Sequence, residues 1–268
     1  MTTKVNGCLK QHLLNGGKSY GSMLMSNLPI IAELMSSMGY GHLIIDHEHS
    51  PTDILSGQLM LQAIRNSQAA EPIVRLPSAD PVYMKKVLDS IRLPGGVLVP
   101  MVNDAATAEA VVNATRYPNG TGSGGKRGCA APFIRASAWG MDKDYINRCN
   151  NELLVIVQVE SPQGVAAIDE IANVEGIDMI FLGPMDLSCS IGKMGQFHDP
   201  EVKKLIQQAE ETVRNNHNVL LGGFRPPSRD LNEMFTDGGY SLVCGSVDMG
   251  LLRDAALADV AGAHQIVH

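Results

Sequence analysis

Eight short apolar runs, separated by stretches with helix-like spacing, constrain this chain more than any other feature of its sequence. They fall at 20–25, 42–46, 72–75, 96–101, 153–159, 178–183, 218–223 and 241–245. Each run is continuous rather than alternating, as in parallel strands covered on both faces. Several intervening helices open on a capping residue followed by proline: Ser50-Pro51, Asp80-Pro81, Ser161-Pro162 and Asp199-Pro200. Proline at the first helical position is pre-organised and gives up no needed N–H. Ser50 with Asp53 also has the spacing of a capping box. Eight strand–helix units in 268 residues predict an α/β fold, a (β/α)8 TIM barrel with residues 1–268 as a single domain. The alternative is a doubly wound open sheet. No G-x-G-x-x-G or P-loop follows any of the runs, which weighs against it.

Composition narrows the function classes. Hydrophobic residues make up 44% of the chain but aromatics only 4%, so Ile, Val, Leu, Met and Ala must fill the core. The net charge is -7 with no basic block, which argues against nucleic-acid and anionic-membrane partners. No apolar run approaches the roughly 18 residues of a membrane span, and no signal-peptide pattern opens the sequence. The five cysteines, Cys8, Cys129, Cys149, Cys189 and Cys244, form no C-x-x-C pair. They read as reduced thiols, and the expected location is cytoplasmic. One stretch, 116–140, breaks the rhythm. It holds an inserted glycine-rich loop at about 117–128, too long for an ordinary connection and so expected to be functional. Lys126 and Arg127 there offer a weak phosphate-site reading that no motif spacing supports.

In a barrel of this kind, chemistry collects where strands end. Those ends carry Asp46-His47-Glu48-His49, Arg75, Gln158 and Glu160, Gly183 and Asp186, Phe224-Arg225, and Gly245-Ser246. Glu160 and Asp186 lie just past neighbouring strands. Together they offer a hard, oxygen-only site suited to Mg²⁺ or Mn²⁺. Each acid alone reads equally well as a helix cap. His47 and His49 form an H-x-H pair, but no third His or Cys supports a zinc site. A histidine titrating near neutrality suits general base work. Arg75 suits a carboxylate or a developing oxyanion, with an ion pair across the mouth as the alternative. No strand interior carries a lysine for Schiff-base chemistry. An acidic metal site without lysine favours enolate chemistry.

These residues together resemble the HpcH/HpaI aldolase family of metal-dependent pyruvate aldolases. The resemblance rests on Leu43-Ile44-Ile45-Asp46-His47-Glu48-His49, Val74-Arg75, Leu88-Asp89, Leu98-Val99-Pro100-Met101-Val102, Arg116-Tyr117-Pro118, Lys126-Arg127-Gly128, Val157-Gln158-Val159-Glu160 and Gly183-Pro184-Met185-Asp186-Leu187-Ser188. It covers roughly residues 18 to 255. It implies Glu160 and Asp186 as the two protein ligands of a divalent cation (Mg²⁺, Mn²⁺ or Co²⁺). It implies His49 as the base, with Asp89 pairing to it; Asp89 falls in the helix after the third run, not at a strand end, so its approach from a neighbouring subunit is the expectation. Arg75 and Gln158 would contact the keto acid, and Gly183, Pro184 and Phe224 would line the substrate site. It also implies a homo-hexamer, a trimer of dimers, whose C-terminal helices are exchanged between subunits.

The implied reaction is reversible cleavage of a 4-hydroxy-2-oxo acid to pyruvate and an aldehyde, with oxaloacetate decarboxylation through the same enolate. His47 stands where some relatives carry glycine, and Phe224-Arg225 where relatives carry aliphatic residues, so the departures touch the second substrate. The alternatives are an acyl-CoA lyase like the citrate-lyase β subunit, an oxaloacetate decarboxylase like macrophomate synthase, a phosphoenolpyruvate-using barrel, and a non-catalytic metabolite-binding barrel.

Overall fold

The computed structural model describes residues 8–67, 70–93, 95–118 and 124–267. Eight parallel strands close on themselves in sequence order, and β8 pairs back to β1. They are β1 (Ser19–Leu24), β2 (His42–Asp46), β3 (Glu71–Arg75), β4 (Gly95–Val99), β5 (Leu153–Val159), β6 (Met179–Leu182), β7 (Leu220–Phe224) and β8 (Leu242–Val247). The helices are α1 (Leu9–Leu14), α2 (Pro29–Ser37), α3 (Ile54–Ser67), α4 (Pro81–Ser90), α5 (Ala105–Thr115), α6 (Tyr145–Glu152), α7 (Pro162–Ala166), α8 (Ile168–Ala172), α9 (Pro184–Ser190), α10 (Pro200–Asn215), α11 (Leu231–Phe235) and α12 (Asp248–Val267). The chain is therefore a (β/α)8 barrel, as its eight apolar runs require.

Two apolar cores follow from the period-2 alternation of side chains along each strand. Outward residues such as Leu43, Ile45, Val74, Val97, Val157 and Ile180 pack under the helices. Inward residues such as Ile44, Ile73, Leu98, Ile156 and Phe181 fill the barrel. Leu9 and Leu13 of α1 join that inner cluster. Lys10, between them, bonds Leu153 O at the start of β5 (3.1 Å) and pairs with Asp178 just before β6 (2.9 Å). So α1 closes the floor, at the N-terminal end of the strands.

Three of the four predicted proline caps form. Asp80, Ser161 and Asp199 accept N–H bonds from Val82, Gly164 and Glu201, at the starts of α4, α7 and α10. The fourth does not. Ser50 Oγ is taken by Asp46 O and Thr52 Oγ1, and α3 begins only at Ile54. There Asp53 and Ser56 cap reciprocally: Ser56 N donates to Asp53 Oδ1 at 2.8 Å, and Asp53 N donates to Ser56 Oγ at 3.0 Å.

Of the glycine-rich loop, residues 119–123 lie outside the described residues. Arg127 is buried, bonds Asp89 Oδ1 at 2.8 Å and lies 4.5 Å from the centroid of the Tyr117 ring. Its guanidinium is committed to the fold. This takes Arg127 out of the phosphate reading. Helix α12 starts at Asp248, whose carboxylate accepts from Met25 N and Ser26 N (2.9 and 3.0 Å). Residues 251–263 of that helix are all exposed, Leu252 and Leu257 among them.

Candidate active site

The mouth is organised by Asp46, the last residue of β2. The inward series on β2 is His42, Ile44, Asp46, and on β3 it is Ile73, Arg75. Asp46 and Arg75 are register partners. Arg75 Nε donates to Asp46 Oδ1 at 2.8 Å and Nη2 to Oδ2 at 2.9 Å. This is the two-point fork that guanidinium and carboxylate favour. The same carboxylate also accepts Glu48 N at 3.0 Å and His49 N at 3.2 Å. One fully buried carboxylate thus fixes both Arg75 and the turn that carries Glu48 and His49. The Arg75 ring-side neighbour is Phe224, with the guanidinium carbon 5.6 Å from its centroid. Phe224 is held in turn edge-on to Phe181 at 4.9 Å. Burial alone would lower the Arg75 pKa, but Asp46, Glu48 and Glu160 outweigh it and keep the group charged.

Facing Arg75 are the carboxylates. The inward alternation on β5 runs Leu154, Ile156, Gln158 and continues to Glu160, one residue past the strand. Glu160 Oε1 accepts Met101 N at 2.8 Å. Gln158 Nε2 donates to Glu160 Oε2. Met101 adopts φ 56°, a left-handed conformation that costs a non-glycine residue about 1–3 kcal/mol. That strain aims its N–H at the carboxylate. Gly183 leaves room for the pair: a Cβ there would stand 2.6 Å from Glu160 Oε2 and 2.9 Å from Gln158 Nε2. Asp186 follows in the first turn of α9, half-buried.

Negative charge is concentrated here. Burial, with Asp186 and Glu48 adding to it, pushes the Glu160 pKa up to about 7, against the Met101 and Gln158 bonds. Burial likewise raises Glu48, with Asp46 and Asp186 adding and Arg75 opposing. Glu48 Oε2 lies 3.1 Å from Arg75 Nη1, yet it has no hydrogen-bond partner among the described residues; neither does Gln158 Oε1. Crowded carboxylates beside orphaned buried oxygens fit a hard divalent cation. Among the described residues no three His, Cys, Asp or Glu side chains are arranged to hold an ion. Glu160 and Asp186, which raise each other's charge cost through space, would as a pair leave most positions of a cation to water and substrate.

The two histidines part company. His47 is a core residue: Nδ1 bonds Tyr83 Oη at 2.9 Å, and Nε2 lies buried without a partner among the described residues. It fits because α3 has Gly57 opposite; a Cβ there would stand 2.4 Å from Nε2. Burial lowers the His47 pKa to about 4. His47 is thus removed from the mouth and from any H-x-H metal pair. His49 projects into solvent, 57% exposed, with Nε2 3.8 Å from Glu48 Oε2. Asp89 lies near the end of α4 and is bound to Arg127, as above. No contact joins it to His49 within one chain among the described residues. Arg225 turns to its own loop, with Nε on Arg229 O at 2.9 Å. Gly183 and Pro184 stand at the turn from β6 into α9. The sequence reading named Asp46, Glu48 and Met101 without roles. The alternation Ile44/Asp46 and Ile73/Arg75 was the available signal for the first.

Residues 20–255 match the HpcH/HpaI aldolase/citrate lyase family model. A hydroxypyruvate/pyruvate aldolase of Pseudomonas aeruginosa is 35% identical over 253 residues, covering 94% of this chain and 91% of that protein. A 2-keto-3-deoxy-L-rhamnonate aldolase of Escherichia coli K12 is 34% identical over 255 residues, covering 95% and 92%. The crystal structure of an HpcH/HpaI aldolase/citrate lyase family protein from Burkholderia cenocepacia superposes with a TM-score of 0.88 at 32% identity, covering 96% of this chain and 98% of that one. The barrel, its fixed guanidinium and its paired carboxylates therefore belong to a carbon–carbon lyase, and the chain is a member of the HpcH/HpaI aldolase/citrate lyase family.

Proposed function

We propose that this protein is a divalent-metal-dependent class II aldolase that cleaves 4-hydroxy-2-oxo acids to pyruvate and an aldehyde, and that also decarboxylates oxaloacetate. The observation that carries this reading is the fixed opposition of the Arg75 guanidinium to the Glu160/Asp186 carboxylates across one mouth. Glu160 and Asp186 would hold the cation. A bound divalent cation supplies Lewis-acid polarisation of the 2-oxo group. Arg75 is clamped by Asp46 on Nε and Nη2, and its Nη1, 3.1 Å from Glu48 Oε2, would be shared between Glu48 and the negative charge that grows on the C2 oxygen. Donors fixed before reaction are worth more than donors that must reorient. Gln158, Gly183 and Pro184 line the keto-acid half of the site.

His49 takes the proton of the C4 hydroxyl. The C4 alkoxide closes to the aldehyde as the C3–C4 bond breaks, that bond's pair becomes the C2=C3 bond, the C2 carbonyl π pair moves to oxygen, and the enolate is then protonated at C3 to give pyruvate. In decarboxylation the carboxylate leaves instead, so no base is needed to make the enolate. Asp89 orients His49 only if it comes from a second copy of the chain, because its own copy holds it on Arg127. The bare apolar residues of α12 support such a homo-oligomer, with the helix covered by a neighbouring barrel. The hexamer, the cytoplasmic location and the choice among Mg²⁺, Mn²⁺ and Co²⁺ belong to the same proposal.

The test is pyruvate release from a panel of 4-hydroxy-2-oxo acids and oxaloacetate, with and without chelator. Turnover that chelator abolishes and added Mn²⁺ or Mg²⁺ restores is expected. Full turnover in excess chelator would overturn the metal-dependent reading.

A further inference from the structure

Away from the mouth, at the floor end of the barrel, three arginines line one cleft of about 390 Å³ together with Gln62, Asn66 and Leu93. They come from three separate elements. Arg65 lies in the last turn of α3, and its Nη2 donates to Arg92 O at 2.7 Å. Arg92 lies just past α4 and is exposed. Arg135 opens a short 3-10 turn (Arg135–Ser137), and its Nη1 donates to Ser90 O. These bonds tie Arg65 and Arg135 to backbone carbonyls, and Arg92 and Arg135 carry further N–H donors. The charges are close enough to oppose one another: burial, then Arg92 and Arg65, pull the Arg135 pKa below its usual value. The carboxylate beside them is Glu71, 3.7 Å from Arg65 Nη2. Burial pushes Glu71 up to about 7, with Arg65 opposing. Near neutral pH it offsets only part of the cluster. A chain of net charge -7 therefore keeps a positive cleft far from its catalytic carboxylates.

We propose that this cleft binds a small, multiply charged anion of the phosphate-ester class, at a site separate from the mouth. A single carboxylate is served by one guanidinium fork. Three guanidiniums arriving from different elements suit a tetrahedral group with several charged oxygens. The Gln62 and Asn66 amides add donors and acceptors for the rest of the ligand. The volume is that of a metabolite site.

The probe is pyrophosphate, titrated calorimetrically into the full-length protein. Arg92→Ala is the informative variant, because the Arg92 side chain is exposed and lies outside the mouth. The expected result is saturable binding that weakens at least about tenfold in Arg92→Ala and stays unchanged in Lys204→Ala, a control at an exposed residue of α10. Pyrophosphate should also slow phenylglyoxal modification of Arg92, followed by mass spectrometry, but not that of Arg253 on α12. Absence of binding, equal weakening in the control, or an unprotected Arg92 would each overturn the site. Citrate binding more tightly than pyrophosphate would overturn the phosphate assignment. Arg92→Ala that changes the oligomeric state while pyrophosphate does not bind would make the cleft a contact between copies instead.

Discussion

At the floor of the barrel, Leu9 and Leu13 of α1 pack against Leu154, Met179 and Leu242 at the starts of their strands. Four residues further along β5 stands Gln158, and on β2 and β3 the same inward face ends in Asp46 and Arg75. The strands are shared, but the two ends are stabilised by different physics. The floor is held by apolar burial, each large side chain contributing about 1.5–3 kcal/mol. The mouth is held by bonds that recover the cost of burying charge. Asp46 makes four such bonds, yet Glu160 still ends up pushed to about 7. Floor residues should therefore govern stability and mouth residues turnover, with little exchange between them.

The largest expected effect lies among the mouth carboxylates. Glu160→Gln or Asp186→Asn should lower kcat by about 10³-fold, the scale of losing one preorganised electrostatic group, and should weaken Mn²⁺ binding measured calorimetrically. The melting temperature should hold or rise, since a crowded negative charge is removed. A variant that binds Mn²⁺ normally would take that residue out of the ligand set.

Next comes the guanidinium. Arg75→Lys keeps the charge but loses the fork to Asp46, and kcat should fall by about 10²–10³. Phe224→Ala tests the same clamp from the other side. Because Phe224 lies under Arg75 as well as beside the proposed aldehyde space, aldol cleavage and oxaloacetate decarboxylation should both decline. Selective loss of aldehyde discrimination, with decarboxylation untouched, would show that the ring serves the aldehyde alone. At the floor, Leu13→Ala should cost about 2–5 kcal/mol of stability, read by chemical denaturation, while kcat/KM of the folded protein stays near wild type. Equal losses at floor and mouth would break the division between them.

Much of this was legible in the sequence, and the misses have physical causes. β2 and β5 match the apolar runs residue for residue, and the other strands shift by a residue or two, because continuous apolar runs flanked by caps leave little freedom. The paired acids Glu160 and Asp186 were visible because each follows a strand. The role of Asp46 was hidden: a run read only as continuous conceals which of its residues face inward. α1 was missed because six residues carry no periodicity to read. Ser50-Pro51 failed as a helix start because Ser50 Oγ, bonded to Asp46 O and accepting from Thr52 N, closes a local turn, and the helix begins only at Ile54. The His47/His49 pair could not be separated from sequence. Nothing local says that Gly57, ten residues past His47, opens a hole for its ring.

That last pair yields the smallest effect, on stability rather than rate. His47 is buried neutral, with its pKa lowered from 6.5 to about 4, and in the unfolded chain it titrates normally. Between these values the unfolded state binds more protons than the folded one, so stability is present above about pH 6.5 and falls as pH drops toward 4. The slope from this one group approaches 1.4 kcal/mol per pH unit in the middle of the window. In His47→Gln the amide can still reach Tyr83 but cannot charge. Urea denaturation of both proteins at pH 7.5, 6 and 5 isolates the effect, since every other titrating group contributes to both. The wild type should lose about 1–2 kcal/mol more than the variant between pH 6 and 5. If the His47 variant lost stability in parallel with the wild type, its ring would have to be charged in the folded state. The burial that separates it from His49 would then not control its proton.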